Sequence, residues 1–324
     1  MNTIVKIGIM GCANIAQRLM IPAIQTMKER WDLVGIASRT KEKADSFAQM
    51  FGCEGIVGYD TLLARKDIHA IYMPLPTGLH KEWIIKALEA GKHVYAEKSI
   101  AMTANDAQEM VNLAKEKGLA LMEGYMFQYH RQHQIVKDLI AKGEIGEIRN
   151  IRASFGFPPF PDSNNFRYDN VIGGGALKDA AGYVWRAINF ICGNFFELKA
   201  ANVHYDKNGT SIYGSAFATN INISAEISFG FDNYYQCNYE IWGSKGKITC
   251  PRAYTPKPNE TTKIIFEQQG VYKEITCEPY NHFVGAMNEF YCLCTNQGDK
   301  QKHYEDILFQ AKGLDEIETL SRLG

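Results

Sequence analysis

The sequence predicts a doubly wound, parallel α/β sheet followed by an α+β domain built on a mostly antiparallel, open sheet. Three observations predict it. Over the first ~120 residues, short apolar runs alternate with helical patterns of ~10–15 residues, which implies a parallel sheet covered on both faces. The first apolar run leads straight into Gly11-Cys12-Ala13-Asn14-Ile15-Ala16, a tight turn opening a helix. After Gly143 the apolar runs become long and alternating, as in half-buried antiparallel strands. A chain of 324 residues is also too long for one ordinary core.

In order, Val5–Met10 reads as the first strand and Ile15–Glu29 as a helix with an irregularity at Pro22. Leu33–Ser38 is a strand, Lys41–Phe51 a helix, Ile56–Val57 a short strand and Tyr59–Leu63 a short helix. Ala70–Pro74 is the next strand, and His80–Ala90 is a helix closed by Gly91. His93–Glu97, the helix Asn105–Lys117 ended by Gly118, and Ala120–Gly124 complete the first series. In the second half, strands are expected at Glu147–Phe157, Phe196–Tyr205, Ser211–Ala218, Ile221–Phe231, Tyr235–Trp242, Lys247–Cys250, Lys263–Glu267 and Tyr272–Cys277. Ser244-Lys245-Gly246 reads as a hairpin turn. A helix at Gly175–Ile191 interrupts the series, and helices at His282–Cys294 and Tyr304–Arg322 close the chain. The expected domains are 1–124 for a dinucleotide, 125–300 for substrate and oligomerisation, and a C-terminal helix, 301–324, that can pack back on the first domain.

Composition narrows the function classes. Hydrophobic residues make up 46% and charged residues 22%, as in an ordinary globular protein. With 35 basic and 36 acidic residues the formal net charge is −1, so nucleic acid and anionic membranes are not expected partners. No apolar run approaches the ~20 residues of a membrane span. The first strand occupies the N-terminus and leaves no room for a signal peptide. The 8 cysteines contain no C-x-x-C pair and no zinc spacing, so reduced thiols in the cytoplasm are expected, with no metal and no disulfide.

Four stretches carry chemistry. The first, residues 11–16, resembles the fingerprint G-x-G-x-x-G/A with Ala13 in place of the second glycine. Gly11 permits the turn, Ala13 lets the backbone approach a pyrophosphate, and Ala16 lets the helix pack on the strand. Backbone N–H groups from Cys12 to Ile15 then face the phosphates. At the end of the second strand, Ser38, Arg39 and Thr40 stand where an NAD-binding chain carries an acid. Ser38 and Thr40 can donate to a 2′-phosphate, and Arg39 can pair with it, which favours NADP(H) over NAD(H). The alternative is a polar loop with an ordinary surface arginine.

The second stretch, Pro74-Leu75-Pro76-Thr77-Gly78-Leu79-His80, is a stiffened loop at the carboxyl end of the sheet, where ligands bind in open α/β folds. Thr77 can cap the helix or touch cofactor, and His80 either faces the cleft or packs the helix. The third ends a buried strand with Glu97-Lys98-Ser99. A lysine there is unusual. Held near a nicotinamide, Lys98 can polarise a carbonyl; otherwise it makes a salt bridge at a domain seam. The fourth, Gly173-Gly174-Gly175, opens a helix carrying Asp179 and Tyr183 at i, i+4 on one face. A carboxylate near Lys98 keeps it charged, and a nearby cation makes Tyr183 a better proton donor. The alternative is a helix cap and a core tyrosine.

Taken together, GCANIA, PLPTGLH, AGKHVYAEK, KGEIGEIRNIRASF and GGGALKDAAGY resemble the glucose–fructose oxidoreductase / inositol dehydrogenase / MocA family over nearly the whole chain. The resemblance implies an N-terminal Rossmann domain, a C-terminal open antiparallel sheet whose face often makes oligomers, and Lys98, Asp179 and Tyr183 at the family's catalytic positions. The chain departs from the family at Ala13, at Ser99 in place of the proline of Glu-Lys-Pro, at Gln128 in place of an arginine, and at Ala181 in place of a glycine. Within the family, GCANIAQRLMIPAI, PLPTGLHKEW and ASFGFPPFPDSNNFRY (residues 153–168) are most similar to sugar-nucleotide 3-ketoreductases, and also resemble pyranose dehydrogenases. The implied substrate is therefore a sugar or sugar nucleotide, with Tyr125, Arg167, Tyr168 and Tyr280 as candidate contacts beside Lys98, Asp179 and Tyr183. Asn281 and His282 are also placed to face that pocket. Tyr235, Tyr239 and Trp242 are expected on an apolar sheet face that assembles a homodimer or homotetramer. Two other readings belong to other classes: a glycosidase that retains NAD, and a non-catalytic NADP-sensing regulator.

Overall fold

The structure, a computed structural model, describes residues 3–162, 165–193 and 195–323. Met1 and Asn2, taken with the first strand above, and Ser163 and Asn164 of the 153–168 segment lie outside the described residues. The chain divides into two compact units: Met1–Gly124 with Phe283–Leu308, and Tyr125–His282 with Phe309–Gly324.

The first unit holds a six-stranded parallel sheet: β1 Val5–Met10, β2 Trp31–Ser38, β3 Glu54–Val57, β4 Ala70–Met73, β5 His93–Ala96 and β6 Leu121–Glu123. The strand order is β3-β2-β1-β4-β5-β6. The order reverses between β1 and β4, and ligands bind at such a switch point, beyond the carboxyl ends of the strands. Ile7, Ile9, Ile71, Tyr72, Val94 and Tyr95 are fully buried, as expected of strands covered on both faces.

The helices of this unit are α1 Ile21–Gln25, α2 Lys41–Phe51, α3 Tyr59–Leu63, α4 Thr77–Glu89 and α5 Ala104–Lys117. Gly52 and Gly118 take the left-handed conformation at the ends of α2 and α5. The helix expected over 15–29 is shorter and irregular: a π-turn, Ala16–Met20, runs into α1. Pro22 explains this, because it lacks the N–H that would bond the carbonyl one α-turn earlier, and the chain widens there.

In the second unit, α6 Arg131–Ala141 and α7 Gly182–Cys192 accompany an eight-stranded sheet. Its strands are β7 Ile148–Gly156, β8 Glu197–Tyr205, β9 Ser211–Thr219, β10 Ser224–Gly230, β11 Gln236–Gly243, β12 Gly246–Cys250, β13 Thr262–Gln268 and β14 Val271–Cys277. The order is β14-β13-β12-β11-β7-β10-β9-β8. All pairs are antiparallel except β7 with β10. The sequence analysis did not assign α6, although Ile135, Val136, Leu139 and Ile140 have helical spacing and the His130 side chain caps its first turn by accepting from Gln132 N.

Two helices close the chain, α8 His282–Cys294 and α9 Lys300–Leu323. The sequence analysis placed all of α8 with the second domain. From Phe283 onward it groups with the first unit. Phe290 stacks on Trp31 at 5.6 Å, Trp31 Nε1 donates to Met287 O at 3.3 Å, and Tyr291 Oη donates to Thr3 O at 2.8 Å. The residues of α9 divide between the units after Leu308.

One expected face is corrected. Tyr239 does not lie with Trp242: successive strand residues alternate faces. Tyr239 is fully buried on the inner face, where its hydroxyl meets His133 Nδ1 at 2.8 Å. The outer face carries Trp242, Tyr213, Phe217 and Tyr272 as exposed aromatics. They sit among charged pairs such as Arg152–Glu226, Lys247–Glu267 and Lys263–Glu274, so the face is less apolar than expected.

Four buried histidines and the half-buried His93 predict an acid-sensitive fold. Burial lowers the pKa of His80, His93 and His130 to about 4, and of His133 and His282 to about 3. In the unfolded chain the same rings titrate near ~6.5. As pH falls below that value, the unfolded state takes up protons that the folded state refuses. Each ring then removes about 1.4 kcal/mol of stability per pH unit until its folded pKa is reached. The melting temperature should be level above pH ~7 and fall steeply between ~6.5 and ~4. A level thermal-melt profile across that window would contradict the burial of neutral imidazoles.

Candidate functional site

The candidate cofactor site is built at the switch point of the first unit. Gly11 has φ +117, and a Cβ there would lie 2.9 Å from Leu75 Cδ2. No side chain fits, so the backbone itself lines the space after β1. Gly11 N donates to Ala37 O at 3.0 Å, which ties the turn to the end of β2. The helix begins at Asn14, and Ala16 is fully buried beneath it. The first N–H groups of a helix have no partner within it. This cradle fits a dinucleotide's pyrophosphate, with Cys12, Ala13, Asn14 and Ile15 as its backbone donors.

At the end of β2, Ser38 is buried and its Oγ accepts from Thr40 N at 3.4 Å. Arg39 and Thr40 are exposed, and among the described residues no carboxylate forms a salt bridge with Arg39. Cys12 is half-buried and its Sγ lies 3.7 Å from Lys43 O; burial raises its thiol pKa, while Ser38 and Lys43 oppose the rise. A neutral thiol beside a phosphate site adds no opposing charge.

The loops after β4 and β5 carry the next group. Pro74, Leu75 and Thr77 are buried, and Thr77 is the first residue of α4. His80 is corrected as a cofactor contact. It is fully buried, with Nε2 at 2.8 Å from Leu75 O and Nδ1 at 2.9 Å from Ser99 O. Its two nitrogens each face a backbone carbonyl, one in each loop, so the ring packs the Pro74–Thr77 loop against the Lys98–Ser99 loop.

Glu97 N donates to Met73 O at 3.0 Å, and Glu97 Oε1 accepts from Tyr72 Oη at 2.7 Å. Lys98 follows, half-buried, and the Lys98–Ser99 peptide bond is cis. Ile100 N then donates to the buried Glu123 Oε1 at 2.8 Å. The lysine thus sits between anchored neighbours, at the carboxyl end of a buried strand.

The second unit carries its own group of candidate residues. Gly174 has no room for a side chain, since a Cβ would meet the carbonyls of Arg167 and Asp169 at 2.6 Å. Gly175 N donates to Arg167 O at 2.7 Å and Gly174 N to Asp169 O at 2.8 Å. The glycine turn is therefore packed against residues 167–169. The chain then enters a π-turn, Leu177–Ala181, before α7. Such turns favour functional sites because they re-aim side chains.

Asp179, on that turn, accepts from Arg167 Nε at 2.9 Å. The structure thus gives Arg167 a carboxylate partner that the sequence analysis did not foresee. Its guanidinium also lies over Phe160 at 5.1 Å and Phe166 at 4.7 Å. Tyr168 accepts from Phe160 N at 3.0 Å through its hydroxyl and packs edge-on to Phe160 and Phe231.

Tyr183 is buried at the head of α7, its ring edge-on to Tyr125 at 5.5 Å and to Phe155 at 5.0 Å. Its Oη lies 3.7 Å from Met126 Sδ. Gln310 Nε2 donates to Tyr125 Oη at 3.1 Å and to Gly182 O at 2.9 Å, which fixes Tyr125 against the backbone just before Tyr183. Gln128, which replaces the family arginine, accepts from Arg186 Nε at 3.0 Å. Tyr280 is half-buried, with the Arg131 guanidinium 4.5 Å from its ring centre and His130 edge-on at 6.0 Å. His282 is buried beside His130, at 5.9 Å between ring centres, and belongs to that histidine cluster. No group of three or more His, Cys, Asp or Glu among the described residues can hold a metal ion. No helix among them is long and apolar enough to cross a membrane.

Comparison with known proteins places this architecture. Residues 5–125 match an oxidoreductase family with an NAD-binding Rossmann fold, and residues 133–249 match the Gfo/Idh/MocA C-terminal domain. The chain is 43% identical over 288 residues to dTDP-3,4-didehydro-2,6-dideoxy-alpha-D-glucose 3-reductase from Saccharopolyspora spinosa, covering 88% of this chain and 86% of that protein. It is 35% identical over 320 residues to the enzyme of the same name from Actinomadura kijaniata, covering 98% and 96%. A crystal structure of a 3-ketoreductase from Actinomadura kijaniata in complex with NADP and TDP-benzene matches with a TM-score of 0.93 at 35% identity, covering 98% of each chain. That enzyme has also been solved with a lysine replaced by alanine and with a tyrosine replaced by phenylalanine. The chain belongs to the Gfo/Idh/MocA family of oxidoreductases, with its Rossmann domain first and the family's open sheet after it.

Proposed function

We propose that the protein is an NADP(H)-dependent reductase of a sugar-nucleotide ketone, acting at C3 of a dTDP-linked deoxyhexose. The observation that carries this reading is the near full-length match to 3-ketoreductases, one of them solved with NADP and TDP-benzene. The acid-free end of β2, with Arg39 in solvent, agrees with it. A pyranose dehydrogenase is the nearest other reading within the family. Neither a glycosidase nor a regulator has a specific observation in its favour. A cytoplasmic setting accords with the eight free cysteines.

When bound, the nicotinamide supplies or accepts the hydride. The chain supplies the rest. In the reductive direction negative charge develops on the sugar oxygen. The Lys98 ammonium is the group we assign to stabilise it, Tyr183 Oη the group that donates the proton, and Asp179 the carboxylate that orients them, itself held by Arg167. The substrate's remaining contacts are assigned to Tyr125, Arg167, Tyr168 and Tyr280. The outer sheet face, with Trp242, Tyr213, Phe217 and Tyr272, is assigned to self-association as a homodimer or homotetramer.

The reading is tested by following NADPH oxidation against dTDP-linked 3-keto sugars, other sugar nucleotides and free pyranoses. Turnover of free pyranoses alone would replace the reductase with the dehydrogenase. Arg39→Ala should lower the preference for NADP(H) over NAD(H) in kcat/KM by roughly tenfold to a hundredfold, the worth of a charge-assisted pair. An unchanged ratio removes Arg39 from the cofactor site.

Lys98→Met should lower kcat by about 10²–10³, as for loss of one electrostatic donor. Tyr183→Phe should lower it by about 10²–10⁴, as for loss of a general acid. A near wild-type Tyr183→Phe beside an inactive Lys98→Met makes Lys98 the proton donor; two active variants refute the assignment. Light scattering should show a dimer or tetramer, and Trp242→Glu should shift it toward a smaller species. A wild-type monomer at micromolar concentration would rule the assembly out.

A further inference from the structure

Gln310 lies outside every motif considered above, on the last helix, yet it is a residue that meets the Tyr125 hydroxyl. Its neighbours on α9 put it there. The Trp185 indole of α7 stacks on Phe309 at 5.5 Å and 8°, and it occupies the place that a Cβ on Gly313 would take. A stacked Phe309 and a bare Gly313 thus fix how this part of α9 lies along α7, and Gln310, between them, comes to rest at Gly182. Gly182 is bare for a matching reason: the Tyr125 hydroxyl fills the volume of its Cβ. All of these residues belong to the second unit.

The polarity of the contact is fixed by chemistry. Gln310 Nε2 lies 2.9 Å from Gly182 O, a carbonyl that can only accept, so the amide nitrogen and not its oxygen faces this spot. The same Nε2 lies 3.1 Å from Tyr125 Oη. An amide nitrogen only donates, so Tyr125 Oη accepts here and its own O–H is turned away from Gln310. The Tyr125 ring meets that of Tyr183 edge-on at 5.5 Å, so the oriented hydroxyl belongs to the neighbour of the assigned proton donor.

Packing alone does not account for an amide at this place. Gln310 is 1% exposed, and among the described residues its Oε1 has no hydrogen-bond partner. A buried acceptor without a partner costs stability that an apolar side chain of similar size would not. What the amide supplies instead is a hydroxyl of set direction.

We propose that Gln310 is a positioning residue for the reduction: by donating to Tyr125 Oη, it commits the O–H of Tyr125 to the ketone oxygen of the substrate. This rests on the reductase reading and on the assignment of Tyr125 to the substrate.

The test is a cycle of steady-state kinetics on the full-length protein, with NADPH and a dTDP-linked 3-keto sugar, for wild type, Gln310→Met, Tyr125→Phe and the double variant. Gln310→Met removes the donor together with the orphaned oxygen. Its melting temperature should equal or exceed that of wild type, while kcat falls about fivefold to tenfold at nearly unchanged KM. Tyr125→Phe should lower kcat by at least as much. In the double variant the methionine should cost nothing further, so that kcat matches Tyr125→Phe within about twofold. A merely structural glutamine would lower kcat by the same factor with or without the Tyr125 hydroxyl, and such multiplying losses would overturn the proposal. Gln310→Glu keeps the shape and reverses the polarity. Neutral, its one O–H is claimed by Gly182 O; charged, it has none. Either way it accepts from Tyr125, and kcat should fall to the Tyr125→Phe level. A near wild-type rate for Gln310→Glu would overturn the proposal even where Gln310→Met fails to fold. A wild type that turns over no sugar nucleotide overturns the reductase reading and this assignment with it, a result distinct from an active wild type with multiplying losses.

Discussion

The organisation of the first unit depends on one steric fact: position 11 cannot hold a side chain. Its φ of +117 disfavours any residue but glycine, and the Leu75 side chain occupies the volume that a Cβ needs. With backbone alone at that point, the turn after β1 closes onto the end of β2 through Gly11 N–Ala37 O, and the helix starts immediately beyond. Leu75, which fills the gap, belongs to the loop after β4, on the other side of the switch point. The Leu75 loop therefore packs directly against the Gly11 turn at the switch point.

Much of this was legible from residue order. The parallel strands were readable because each is a short apolar run between turn residues, and α2 because Thr40 and Gly52 bracket a regular pattern. The π-turn before α1 was only half legible: Pro22 announced an irregularity, but a proline does not say whether the chain will kink, end or widen. The helix α6 escaped notice because polar positions, including Gln132 and His133, are buried and make tertiary hydrogen bonds to Ala253 O and Tyr239 Oη. Periodicity cannot reveal polar residues that face a core.

The site residues divide in the same way. Lys98 stood out as a lysine at the end of a buried strand, whereas Asp179 and Tyr183 were singled out through the family resemblance. His80 was misjudged for the converse reason: its chemistry suits a cleft, and only the positions of the Leu75 and Ser99 carbonyls reveal its use. Arg167, expected to contact substrate, also holds Asp179 on its π-turn, a partnership that residue order does not announce.

The imidazole of His80 has a further consequence, in the counting of protons. Two carbonyl oxygens face its two nitrogens, and a neutral ring carries a single N–H. Only one of the two oxygens can be bonded at a time, and either tautomer yields the same number of bonds. The proton thus has two nearly equivalent homes, one facing the loop of Leu75 and the other facing the loop that bears the lysine. An amide side chain offers one donor and one acceptor in fixed places and would set its oxygen against a carbonyl. A ring that can hold its one proton on either side meets two acceptors without that repulsion being locked in place.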